Sequence, residues 1–203
     1  MKTVLGIIIV LVLALGVWLS LRLGATAPGP VATSTPVAVV PAGWSQFSSE
    51  QFSIQYPVGY TLDEQYTYTG LGPARTIVGT RFIIDPAVAS GTNLAGDTYV
   101  SVEPMPGAVN SCSAEIYLAD AQSAGFLDQD GRRYSVATST GAGAGNRYEE
   151  VVFATPVDGG CIAVRYFVHY GVLENYPEGE VQEFDRAALF SRFDSIRRTL
   201  VIN

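Results

Sequence analysis

Apolar and polar side chains alternate along "QFSIQYP", residues 51–57: Phe52, Ile54 and Tyr56 fall on one side, Ser53 and Gln55 on the other. A period of two is the signature of a half-buried strand. Pro57 has no amide proton to give a ladder, so the strand stops there. Residues 75–85, "RTIVGTRFIID", form a second run with Ile77, Phe82 and Ile84 as its bulk, and Gly79 reads as a bulge. Residues 97–104, "DTYVSVEP", put Val100 and Val102 on one face, and "PAVASGTNLAG" between these runs reads as loop. The clearest signal is a hairpin over 146–170, two alternating runs around Asp158-Gly159, a pair suited to a primed turn. On its second strand Ile162, Val164, Tyr166 and Val168 share one face; Cys161, Ala163, Arg165, Phe167 and His169 share the other. "RRYSVATS", 132–139, adds a strand before a flexible connector, "TGAGAGN".

The period changes in two places. Over 111–125, "SCSAEIYLADAQSAG", Cys112, Ile116, Ala119 and Ser123 fall on one helical face. Ser111 or Ser113 supplies a cap, Glu115 suits the positive end of the dipole, and Gly125 suits the position after the last turn. Over 184–200, Leu189, Phe193, Ile196 and Leu200 recur at helical spacing, with Asp185 as cap and Arg197 and Arg198 at the C-terminal end. Strands outnumber helices, and hairpins make the sheet mainly antiparallel. With helices to cover it, the expected class is α+β, an α/β/α sandwich.

Ahead of this domain lies "TVLGIIIVLVLALGVWLSL", residues 3–21, with no charged side chain. As a helix it spans roughly 28 Å, close to a ~30 Å hydrocarbon core, so one N-terminal transmembrane helix is expected before the domain. Lys2 and Arg22 flank it, and Trp18 stands near its far end. Ala25-Thr26-Ala27 leaves open a cleaved signal peptide, and with it a secreted soluble protein. Pro28 after that cut, and the length of the run, favour a retained anchor. No cysteine follows the run, so no lipoprotein attachment site exists. Residues 25–42, with prolines 28, 30, 36 and 41, form a spacer of polyproline character. The expected organisation is a signal-anchor over 1–24, a Pro/Ala/Thr-rich linker over 25–42 and a folded domain over 43–203.

Charge and cysteine narrow the setting. From residue 43 onward ten arginines face nineteen acidic residues, a net of −9. Such a surface repels phosphate backbones, which argues against a nucleic-acid partner. Cys112 and Cys161 are the only cysteines, and an even pair beyond an export signal points to a disulfide. A bridged domain belongs outside the cytosol: N-terminus cytoplasmic, domain extracytoplasmic, a single pass in the cell membrane.

The pattern F-x(4)-F-S-I-x-Y-P-x-G-Y at 47–60, together with a closing helix ending "FDSIRRTL", resembles the PsbP-like domains, which are exported α/β/α sandwiches. The resemblance covers about 44–201 in outline and implies an accessory or binding role without catalysis. It supplies no ligand-binding residues to carry over.

Chemistry is sparse. His169 is the sole histidine, so a serine triad or a Cys–His dyad has one base to share. Cys161 stands roughly 26 Å along the same strand, too far to pair, which leaves Cys112–His169 as the dyad. "DQDG", 128–131, lacks the flanking ligands of a calcium loop, and "GAGAG", 141–145, lacks the lysine of a phosphate cradle. Glu149 and Glu150 alternate across a strand and cannot act as a pair directly. Asn175-Tyr176-Pro177 reads as an exposed loop suited to contact. No catalytic, cofactor or metal set emerges. The expected function is a membrane-anchored extracytoplasmic binding or accessory domain, its partners the lipid bilayer and an envelope protein. The alternative is a cell-envelope hydrolase using acidic residues or the Cys112–His169 dyad.

Overall fold

The computed structural model describes residues 40–107 and 112–203. The expected membrane span at 3–21 lies outside these residues, as does the linker up to residue 39. Among the described residues no helix is long and apolar enough to cross a membrane.

A small sheet comes first. β1 (Trp44–Ser48) and β2 (Phe52–Pro57) pair antiparallel, Trp44 opposite Pro57. The large sheet takes β3 (Thr61–Tyr68), β4 (Ile77–Ile83) and β5 (Tyr99–Pro106), with a four-residue helix, α1 (Pro86–Ala89), between the last two. It continues with β6 (Ser123–Gln129), β7 (Arg132–Gly143), β8 (Asn146–Val157) and β9 (Gly160–Gly171). The helix α2 (Arg186–Arg197) follows, and β10 (Val201–Ile202) closes the chain against β2. Strand order in the large sheet is β3-β4-β5-β9-β8-β7-β6, and every pairing in it is antiparallel.

Alternation along the strands gives the sheet two different faces. Val100, Val102, Val164, Tyr166 and Val168 enter the main core, where Phe52 and Ile54 of β2 and Leu189, Phe193 and Ile196 of α2 pack on them. Asp185 caps α2 by accepting a hydrogen bond from the Ala188 amide. The opposite face carries Tyr66, Tyr68, Tyr99, Ala137, Val152, Cys161 and Ala163, and the stretch Ala114–Leu118 packs there.

This corrects the expected α/β/α sandwich. One face is covered by α2 and the small sheet; the other has no covering helix among the described residues. Residues 112–125, the described part of the predicted helix, do not form one. They contain a single 3-10 turn, Ala114–Tyr117, and pass into the extended β6, so Gly125 lies in a strand rather than after a last turn. The sheet takes this segment's backbone groups. The Ala114 amide donates to Ser135 Oγ, the Gln122 amide donates to the Thr138 carbonyl, and the Tyr117 carbonyl accepts from Arg165. A regular helix would spend those groups internally.

Three smaller expectations also change. The irregularity in the β3–β4 ladder falls between Asp63 and Tyr66 on β3. Gly79 is needed instead for close approach, since a Cβ there would stand 2.5 Å from the Val102 carbonyl oxygen. The 140–146 connector is largely strand: β7 runs to Gly143, and Ala144-Gly145 make the turn, both at positive φ. At Asp158-Gly159 only the glycine takes positive φ, so that turn is not the doubly left-handed primed form.

Candidate functional site

Beneath the second face lies a buried ionic cluster centred on Arg165. Its side chain is fully buried at the middle of β9. Nε and Nη2 donate to the two oxygens of Glu103 on β5, at 2.8 and 2.9 Å, the fork-to-carboxylate geometry in which arginine pairs best. Nη1 donates to Glu150 on β8, and Nη2 also reaches the Tyr117 carbonyl at 2.8 Å. The guanidinium carbon lies 3.6 Å from the centroid of the Tyr68 ring. Strand register explains the meeting, because Glu103 and Glu150 stand on the two strands flanking β9. Burial works against the guanidinium charge, but Glu103 foremost and Glu150 after it outweigh that, so the pKa of Arg165 rises above its ordinary value.

Much of the shell around this cluster is hydrogen-bonded in turn, although the buried Tyr117 hydroxyl has no partner among the described residues. Ser101 Oγ donates to Glu103 at 2.7 Å, and the Tyr68 hydroxyl donates to Glu150 at 3.1 Å. The hydroxyls of Tyr66 and Tyr99 share a hydrogen bond of 2.6 Å. Burial pushes the Tyr66, Tyr68, Tyr99 and Tyr117 hydroxyls above the ordinary phenol value. They therefore stay neutral and serve as fixed dipoles.

Toward the surface, aromatic rings continue along the sheet. Tyr99 stacks on Phe167 at 4.8 Å, and Tyr148 stacks on His169 at 4.6 Å. The His169 Nδ1 is hydrogen-bonded to Asp97 at 2.7 Å. Arg81 pairs with Asp63 at 2.9 Å and lies over the Tyr66 and Tyr99 rings. These groups border an open cleft of about 360 Å³ lined by Tyr66, Tyr68, Arg81, Asp97, Glu150 and Phe167, among others. A neighbouring cleft of about 220 Å³ shares Tyr68, Gly70 and Glu150 with it.

Cys112 and Cys161 are joined as a disulfide, and it ties the covering segment to β9 on this same face. Cys112 therefore has no thiol to offer His169, and the dyad is not assembled. Glu149 and Glu150 do point to opposite faces: Glu149 accepts from Tyr170 and Arg186, Glu150 from Arg165 and Tyr68. Asp130-Gly131 in "DQDG" make a tight β6–β7 turn, and no group of three or more metal-ligating side chains occurs among the described residues. Asn175 donates to the Gly145 carbonyl, which pins its loop to the β7–β8 turn.

The sequence reading assigned no role to Arg165, Glu103, Tyr66 or Tyr68. A signal was present: Arg165 is the lone charge in the apolar run Cys161–Val168, and such a charge needs a buried counter-ion. Strand β3 was missed because "TLDEQYTY" does not alternate cleanly.

No family model matches the chain, and no curated protein matches it. A solved structure of a protein from Bacteroides thetaiotaomicron VPI-5482 is similar, at 14% identity and a TM-score of 0.46, over 78% of this chain and 48% of that one. The chain thus spans about half the length of that protein, and a likeness at this score carries no argument about activity.

Proposed function

We propose that this chain is a membrane-anchored binding or accessory domain of the cell envelope, with its N-terminus cytoplasmic and residues 43–203 outside. The charge-free run at 3–21 and the Cys112–Cys161 bridge support the location. The resemblance of the two ends of the domain to PsbP-like domains points the same way.

One observation carries the binding role: the aromatic cleft of the disulfide-braced face, whose charges are already paired. Arg81 is held by Asp63, Glu150 by Arg165 and Tyr68, and Asp97 by His169. They present a fixed pattern of rings, donors and acceptors, which costs little ordering entropy when a partner docks. The cleft is the face offered to an envelope protein.

Two measurements test this. Protease added to intact cells is expected to remove the domain; a domain that survives, while the purified chain is digested, defeats the proposed location. A photo-crosslinking residue at Asp97, on the cleft rim, is expected to give discrete adducts with envelope protein. Adducts no stronger than those from a probe at exposed Glu178, away from the cleft, defeat the assignment of the site.

A further inference from the structure

The large sheet ends on β3 and β6, and its two edges are built differently. β3 loses regular pairing between Asp63 and Tyr66, where Glu64 and Gln65 stand exposed. A bulge with a charge on it is how an edge strand refuses another strand. β6 has neither defence. It pairs with β7 without a break from Ser123 to Gln129, and contains no proline, no lysine and one charge, Asp128. Among the described residues no other backbone pairs with its outer edge. At its centre Phe126 is 70% exposed, more than any other large hydrophobic side chain described.

We propose that β6 is a self-association edge. Two copies of this chain pair β6 with β6, antiparallel, about a two-fold axis at Phe126, which joins the two large sheets into one. The occupant follows from the strand itself, because "SAGFLDQ" is complementary to its own reverse. With Phe126 opposite Phe126, each Leu127 faces the other copy's Gly125 and each Asp128 faces an alanine, Ala124. Nothing lies within 4 Å of where a Cβ on Gly125 would stand. Beside it runs a cleft of about 370 Å³, lined by Gly125, Leu127, Val136 and Phe153 among others. The opposing Leu127 fills that space, and the axis repeats the contact, so one register makes two knob-and-hole pairs. On the other face the two Phe126 rings meet, each flanked by its own Arg133, whose guanidinium carbon lies 4.5 Å from the ring centroid. Asp128 stands opposite Arg133 on β7, and this register keeps the two carboxylates apart. The chain carries a net charge of −7, so association strengthens as salt screens the repulsion between copies.

The test uses the full chain in detergent. Its two cysteines are bridged, so a single added thiol reports its own surroundings. Phe126→Cys is expected to give a disulfide-linked dimer under mild oxidation, because residues facing each other across the axis have Cβ atoms about 5 Å apart. Val78→Cys, equally exposed at 65% but on β4, is expected to stay monomeric. In density-matched sedimentation the unmodified chain should dimerise more strongly at high salt, and Leu127→Lys should weaken the dimer at least tenfold. A chain that sediments as a monomer at about 100 μM overturns the proposal. So does a dimer in which Phe126→Cys crosslinks no better than Val78→Cys, and this arm decides the matter even if Leu127→Lys does not fold.

Discussion

Arg165 shows how much one side chain can demand of a fold. A buried guanidinium is tolerable only if counter-charges and acceptors meet its nitrogens, and here Glu103, Glu150 and the Tyr117 carbonyl take hydrogen bonds from all three. Replacing it leaves Glu103 buried and uncompensated. Arg165→Met should therefore cost roughly 3–5 kcal/mol of stability, measured by urea denaturation with the disulfide intact. Adding Glu103→Gln to that variant should recover part of the loss, since the stranded charge is then gone. A cost under about 1 kcal/mol would mean that the cluster contributes little beyond an apolar replacement. The need for such a cluster was legible in the sequence, because an arginine stands alone among apolar neighbours. Its partners were not. They lie 62, 15 and 48 residues away, and only strand pairing brings them to one point.

At the scale of elements, α2 and the segment before β6 make an instructive pair. α2 was readable because its stripe of Leu189, Phe193 and Ile196, and its Asp185 cap, lie within the helix itself. The stretch 111–125 carried similar local cues, yet among its described residues only a 3-10 turn forms. Local propensity differs between helix and extended chain by tenths of a kcal/mol per residue, and a disulfide with three sheet contacts outweighs it. The bridge closes a loop of 49 residues, which the chain-entropy account values at about 4 kcal/mol. Reduction should lower stability by up to that amount and speed amide exchange between Ala114 and Leu118 before it does so in β8 or β9. Equal exchange in both regions after reduction would show that the covering segment does not depend on the bridge.

The whole molecule carries its tyrosines in a way that fixes its response to alkali. Burial raises the pKa of Tyr66, Tyr68, Tyr99, Tyr117 and Tyr166 above the ordinary value of 10.0. The folded chain therefore keeps protons that the unfolded chain releases. Stability from this source is fully present below about pH 10 and falls above it, by up to about 1.4 kcal/mol per pH unit for each tyrosine. Phenolate absorbance and loss of β-sheet ellipticity should rise together in an alkaline titration. Smooth ionisation of all tyrosines with the sheet intact would contradict the burial described here. The sequence by itself determined which strands alternate, where α2 runs, that two cysteines suit a bridge, and that an uncharged span precedes the domain, since each is written in neighbouring residues. Only the tertiary structure decided that, among the described residues, the second face lacks a covering helix, that Arg165 gathers its counter-ions there, and that no other strand pairs with the outer edge of β6. Those outcomes depend on strand order and register, which set the distance between residues far apart in the chain and which no local pattern encodes.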